Sequence, residues 1–305
     1  MTNNLTMSNG LTPQDEKEQR KIRFKKKLLN AHIGSHLIMI LVIAFILVPM
    51  YIMLITSLTP EKESTNAQFS WWPAGGLTLV GYVKAFTKQM AAPSLLTSFF
   101  NTMWIYVPSV IVGIFMSAMA AYAFAKLNFT LNKPVFAILM SGLTLPNCMG
   151  TIASFLIYDK IGWINTPLPL MVPRMVGTIG VIFFLRQFYM GVPDDLIGAG
   201  RIDGLSELGV FFYIMLPVST PALLSQGILQ FIAAYNEFIG PLIYIQDSDL
   251  YTLQIALAFF TDAYVQNWTL RMAGSVIAMF PLIILYLLSQ KFILQGIGIT
   301  SGLKG

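Results

Sequence analysis

The chain has 305 residues, of which 55% are hydrophobic and only 11% charged, with a mean hydropathy of +0.67. Soluble domains carry roughly 25% charged residues, so this composition excludes an ordinary water-soluble enzyme or a disordered chain and points to an all-α polytopic membrane protein. The net charge of +5 is compatible with nucleic-acid binding, but the cations sit beside apolar runs, where they act as topology signals and no nucleic acid is expected.

Residues 1–30 read as a polar cytoplasmic tail and residues 31–305 as one membrane domain. The tail holds a basic run of Lys17, Arg20, Lys21, Arg23, Lys25, Lys26 and Lys27. The apolar stretch behind it is too long for the core of a cleaved leader, so it reads as a retained span. Six apolar segments are long enough to cross the hydrocarbon, which takes about 20 residues each. They run from about His36 to Leu58, Ser98 to Ala125, Pro134 to Tyr158, Leu168 to Tyr189, Pro221 to Ile245 and Ala273 to Ile293. Only helices or closed barrels satisfy the backbone in lipid, and runs this long and uniformly apolar are helices.

Alternating the loops from an inside N-terminus places 13 of the 19 Lys and Arg residues inside and 6 outside. That asymmetry is the positive-inside pattern, and it puts both termini of a multi-pass plasma-membrane protein in the cytoplasm. Two outside stretches are long. Thr59 to Thr97 carries Trp71, Trp72 and Tyr82, and Gln246 to Met272 carries Tyr264 and Trp268. Such aromatics suit the headgroup level. His32 and His36 read as interfacial, and Arg186 as snorkelling to the inner headgroups. The single cysteine, Cys148, makes neither an internal disulfide nor a zinc cluster, and no metal is expected.

Residues 191–217 form a cytoplasmic insert with its own architecture, a helix-turn-helix. Pro193 followed by Asp194 and Asp195 starts a helix, because proline fits the first turn and carboxylates favour the positive end of the dipole. Gly198, Ala199 and Gly200 give it a face that another protein could approach closely. Asp203 and Gly204 break it: glycine takes positive φ without steric cost, and the Asp203 carboxylate is placed to cap the next helix. The second helix carries an apolar face of Leu208, Phe211, Phe212 and Met215 and ends near Leu216 and Pro217. Thr220 and Pro221 read as N-cap and first residue of the fifth span. By physics alone the insert is either a docking element or a connecting loop on the membrane surface.

The stretch from Gly198 to Leu205, continuing to Leu216 and Pro217, resembles the EAA loop of binding-protein-dependent ABC transporter permeases. Ala199, Asp203, Gly204, Leu216 and Pro217 match the pattern. Gly198 stands where the family has Glu, Gly200 where it has Ala, and Leu205 where it has Ala. Further stretches are similar to the family in order along the chain: Asn101-Thr102, Ala120 to Phe129, Leu145-Pro146, Gly162 to Thr166, Phe184 to Phe188, Tyr235 to Leu242 and Gly302 to Gly305. Together they look like the smaller membrane subunit of a maltose-transporter type of carbohydrate-uptake permease.

The resemblance implies a second permease subunit, two cytoplasmic ATPase domains and an extracytoplasmic solute-binding protein around this chain. It implies a coupling loop at Gly198, Ala199, Gly200, Asp203, Gly204, Leu216 and Pro217. In the family the acid missing at Gly198 helps hold the loop against the ATPase, and Asp194, Asp195 and Glu207 are the nearest substitutes. No Gly-x-x-x-x-Gly-Lys-Ser/Thr occurs, so this chain binds no cofactor and is not an enzyme, with ATP and magnesium used by the partner ATPase.

Polar groups inside spans are functional candidates. Tyr235, Asn236 and Glu237 stand in the outer half of the fifth span, before Gly240 and Pro241, with Tyr244 beyond. They either line a translocation path, where the tyrosines offer flat faces to sugar rings, or cap a broken helix and pair with another subunit. Arg174 sits at the outer rim or pairs with an acid. The expected function is a permease subunit moving a sugar or oligosaccharide by alternating access. The rivals are a permease for a non-sugar solute and an ion-coupled secondary transporter, the latter opposed by how few charges the spans contain.

Overall fold

The structure is a computed structural model and describes residues 21, 33–64, 71–87, 94–144 and 150–302, with side chains up to residue 291. The expectations for Cys148, His32 and Leu145-Pro146 lie outside the described residues. The helices are α1 Ile33–Ser57, α2 Glu61–Ser64, α3 Val80–Phe86, α4 Leu95–Lys126, α5 Asn132–Ser141, α6 Thr151–Lys160, α7 Leu168–Met175 and α8 Ile179–Met190. They continue as α9 Asp194–Ile202, α10 Glu207–Val218, α11 Thr220–Tyr235, α12 Ile239–Tyr244, α13 Leu253–Ala263 and α14 Trp268–Gly302. Among the described residues there is no strand.

The chain divides into two units, Met1–Met53 and Leu54–Gly305. The described part of the first is essentially α1, whose apolar side chains are exposed almost all round, Phe45 to 82%. A helix with so little buried surface and so much exposed hydrocarbon is made for lipid.

In the second unit α4 is the spine. Towards its Leu95 end, Leu95 packs with Tyr235, Leu253, Ala256 and Phe260. In its middle, Ile105, Tyr106 and Val110 pack with Leu170, Ala234 and Ile245. Towards its Lys126 end, Ala118, Ala121 and Tyr122 pack with Leu185, Phe188, Tyr189, Phe211 and others. Small residues let the backbones close up, as in membrane helix packing generally. A methyl group at Gly113 would overlap the Arg174 carbonyl. Gly177, at φ +106°, turns the chain between α7 and α8, where the Ser117 hydroxyl accepts a hydrogen bond from the Thr178 amide (3.0 Å).

Four helices are long and apolar enough to span, namely Gly34–Ser57, Leu95–Lys126, Leu168–Met190 and Trp268–Lys291, while α10 and α11 meet at a 76° break. The remaining two expected spans are interrupted. The segment expected from Pro134 to Tyr158 forms α5, a 3-10 turn at Gly142–Thr144 and α6, on either side of residues 145–149. The segment expected from Pro221 to Ile245 breaks after Tyr235. Proline removes a donor and its ring collides with the carbonyl four residues back. After the break Pro241 falls in the first turn of α12, where a missing N–H costs nothing.

Candidate functional site

Two polar assemblies stand out in this apolar chain, one at each half of α4. The first is the helix pair α9–α10. Pro193 precedes α9, whose first turn carries Asp194 and Asp195, and Gly204 takes φ +85° in the turn. The cap differs from expectation. Ser206 caps α10, accepting from the Gly209 amide at 3.2 Å, while Asp203 ends α9 with its amide bonded back to Ala199. Two residues separate Asp203 from that cap, which is too far back for its carboxylate to serve the first turn. Likewise Ser219, not Thr220, occupies the N-cap position of α11. Its hydroxyl instead donates to the Met215 carbonyl at 2.7 Å.

The expected apolar face of the second helix is split. Phe211 and Met215 are buried, but Leu208 and Phe212 are exposed, with Tyr213 at 76%. The cause is a π-helical turn over Phe211–Met215, which shifts the side-chain register just before Pro217, whose missing N–H cannot continue a regular ladder. Ile202 in α9 is 88% exposed. Gly198 and Gly200 differ in environment. A methyl at Gly198 meets nothing, whereas one at Gly200 would strike Ile214 and touch Leu205 and Val210. Gly200 therefore lets α9 lie close on α10, and Gly198 faces open space. Leu216 is half-buried and Pro217 exposed.

Of the three nearest acids, Asp194 and Glu207 are turned toward α4, and Asp195 is exposed. Lys126 Nζ donates to Asp194 Oδ1 (2.6 Å) and to the Val192 carbonyl (2.7 Å). The Tyr122 hydroxyl donates to Glu207 Oε2 (2.9 Å), and Arg201 Nε donates to Glu207 Oε1 (2.9 Å). Lys126, by hydrogen bond first and charge second, holds the Asp194 carboxyl below its ordinary range. Arg186 Nε donates to the Phe124 carbonyl (3.3 Å) and its guanidinium lies 4.2 Å from the centre of the Phe136 ring.

The second assembly is a notch at the break between α11 and α12. Arg174 of α7 forms an ion pair with Glu237, both side chains being partly covered. The Arg174 guanidinium also lies 5.3 Å from the centre of the buried Tyr106 ring. A methyl group at Gly240 would press on the Glu237 carboxylate. Asn236 is exposed and accepts a hydrogen bond from Gln254 Nε2 (3.4 Å). Tyr235 sits apart from this group. It is fully buried, and its hydroxyl donates to the Ala278 carbonyl (2.8 Å), so it presents no face to a passing solute here. Tyr244 is half-buried, edge-on to Tyr158 at 5.3 Å.

Tyr106, Gln254, Tyr122 and Lys126 joined these assemblies without a sequence signal of their own. Asn165 is another such residue. At φ +59°, its side-chain oxygen accepts from the amides of Gln246 (3.0 Å) and Asp247 (2.8 Å), which fixes the chain leaving α12. Asn165 and Lys126 both lie within the motifs Gly162 to Thr166 and Ala120 to Phe129, which mark them only as parts of longer strings.

Residues 78–299 match the family of binding-protein-dependent transport system inner membrane components. The chain is 33% identical over 265 residues to the arabinooligosaccharides transport system permease protein AraQ of Halalkalibacterium halodurans, covering 86% of this chain and 93% of that one. It is 36% identical over 195 residues to the trehalose/maltose transport system permease protein MalG of Thermococcus litoralis, covering 62% and 69%. Its fold matches, with a TM-score of 0.74 at 18% identity over 87% of this chain and 97% of the other, a crystal structure of a bacterial ABC transporter involved in import of the acidic polysaccharide alginate. Fold, family match and relatives agree, and the chain belongs to the binding-protein-dependent transport system inner membrane components, as a multi-pass permease subunit of the plasma membrane and not the ATP-hydrolysing part.

Proposed function

We propose that this chain is one of two membrane halves of an ATP-driven importer for a sugar or oligosaccharide. A second permease subunit, two cytoplasmic ATPase domains and an extracytoplasmic binding protein complete the assembly. The sugar assignment rests on the relatives, whose transport systems are named for arabinooligosaccharides and for trehalose and maltose. Both termini lie in the cytoplasm, on the side of the basic tail. This chain binds no nucleotide, and ATP with magnesium belongs to the partner.

The observation that carries the reading is the exposed helix pair around Asp203 and Gly204. It presents Ile202, Leu208 and Tyr213 to solvent, on a turn whose geometry requires glycine at 204. Exposed bulky apolar groups in a short polar insert serve a protein partner. Gly198, Ala199, Gly200, Asp203, Gly204, Leu216 and Pro217 form or support this ATPase-docking element. At the other site Asn236, Glu237, Arg174 and Gln254 gather donors and acceptors in an apolar wall, the chemistry that hydroxyl-rich solutes need, with Tyr244 nearby. Movement is by alternating access, and the helix pair contributes because its contacts with the ATPase differ between the two states.

The test is to purify the assembly through a tag on this chain and to titrate the co-encoded binding protein with sugars, polyols and amino acids. Recovery of an ATPase together with sugar binding is the expected result. Recovery of an ATPase with binding of a non-sugar solute keeps the importer and replaces the cargo. Recovery without an ATPase overturns the reading.

A further inference from the structure

We infer that the Lys126 end of α4 is the joint through which movement of the helix pair reaches the membrane, with Tyr122 and Lys126 as its positioning residues. The inference rests on the reading that α9–α10 docks an ATPase. Two routes lead from that pair into the membrane domain. One is the covalent route into α11, and it is bent by 76° between Pro217 and Pro221, at Ser219. The prolines on either side account for the break in the helix there. The other route is α4, which grips both helices of the pair at once.

Lys126 holds the start of α9 through Asp194 and the Val192 carbonyl. Tyr122 holds the start of α10 through Glu207. Glu207 also takes Arg201 from the last turn of α9, so this one carboxylate closes the angle between the two helices and ties it to α4. The Lys126 side chain is 7% exposed against 87% for Asp194, so the cation is fixed in the body and the acid belongs to the moving element. The Tyr122 ring is wedged against Phe211 (5.6 Å) and Tyr189 (6.5 Å), which leaves the hydroxyl little freedom to follow Glu207 elsewhere.

From there α4 runs as one helix of 32 residues, with Pro108 inside it, about 48 Å. It passes under the notch at Tyr106 and reaches the segment before α13. There Thr102 accepts from the Leu253 amide (2.8 Å) and Asn101 donates to the carbonyls of Asp249 (2.7 Å) and Tyr251 (3.2 Å). One continuous helix thus carries polar ties at both ends and a notch residue between them. The arrangement also explains what happens to two of the three acids nearest Gly198. Asp194 and Glu207 are engaged with α4, so they hold the pair to its own membrane domain rather than replacing the acid that faces the ATPase.

The experiment uses the whole importer with Cys148→Ser and Asn236→Cys in this chain. The rate at which a membrane-impermeant maleimide labels residue 236 is compared with the ATPases free and trapped by ATP and vanadate. The parent is expected to show rates differing about tenfold between the two states. Adding Tyr122→Phe and Lys126→Met should leave ATPase recovery and vanadate trapping intact while the two rates converge, and Lys126→Arg in place of Lys126→Met should restore part of the difference. A difference that persists in the double variant overturns the inference, as does loss of the ATPase from that variant, since the ties would then shape the docking face and not transmit from it. No ATPase, or no change of rate, in the parent overturns the docking reading itself.

Discussion

The helix pair and the notch are both built from charged residues on a chain that has few, yet their charges serve opposite ends. At the helix pair the acids are exposed or half-exposed and the energy of each pair is small, because water competes for the acid. What the pair gains there is orientation: Asp194 and Glu207 set how α9 and α10 meet α4. At the notch Arg174 and Glu237 are partly withdrawn from water in an apolar wall, where an unpartnered charge is costly. The same residue types therefore act as adjustable ties in one region and as an obligatory pair in the other.

That contrast can be broken most forcefully at the notch. Glu237→Ala leaves Arg174 without its acid and is expected to destabilise the purified assembly by about 1–3 kcal/mol, read as a drop in its unfolding temperature. Replacing both partners by leucine should recover most of that loss, since two apolar side chains suit this wall. If the single and double variants melt alike, the pair is not obligatory and the contrast fails.

At the helix pair the larger effect comes from backbone, not charge. Gly204→Val forces a β-branched residue to φ +85° and should cost about 1–3 kcal/mol locally. Retention of the ATPase on affinity purification and uptake by whole cells should both fall, and full retention of both would remove the turn from the docking element.

Gly198 and Gly200 sharpen the picture at a smaller scale. Alanine at 198 enters open space and should stabilise α9 by about 0.5–1 kcal/mol, whereas alanine at 200 must displace Ile214 and should not. Gly198→Glu fits the same open space, and tighter ATPase retention in high salt is the expected result.

The smallest effect is on pH dependence. Asp194 is depressed below its ordinary value of 3.8 by Lys126. A depressed acid binds its proton less readily folded than unfolded, so its contribution is complete above that ordinary value and is lost as the pH falls below it through the depressed one. Lys126→Met should therefore shift stability slightly at neutral pH, and the difference from the parent should vanish in the acid limit. A difference that grew on acidification would contradict the pairing.

Much of this molecule was legible without coordinates. Apolar run lengths placed the long helices, because a span must satisfy its own backbone in lipid and has no other choice of structure. The glycine at 204 announced its turn, because few side chains tolerate that φ. The start of α9 followed from Pro193, Asp194 and Asp195. The break after Tyr235 was visible only in part, as Gly240 and Pro241, because where a helix yields to a proline depends on which neighbour can take up the freed backbone groups.

Partnership was decided by tertiary structure alone. The sequence marks Arg174 and Glu237 as costly in a membrane but does not say that they meet each other, 63 residues apart, one in α7 and one in the break after α11. It marks Asp194 and Glu207 as acids near a missing acid, yet only the packing of α9–α10 on α4 turns them inward to Lys126 and Tyr122. Local rules act over one helical turn, and which polar groups find each other is set by how whole helices pack.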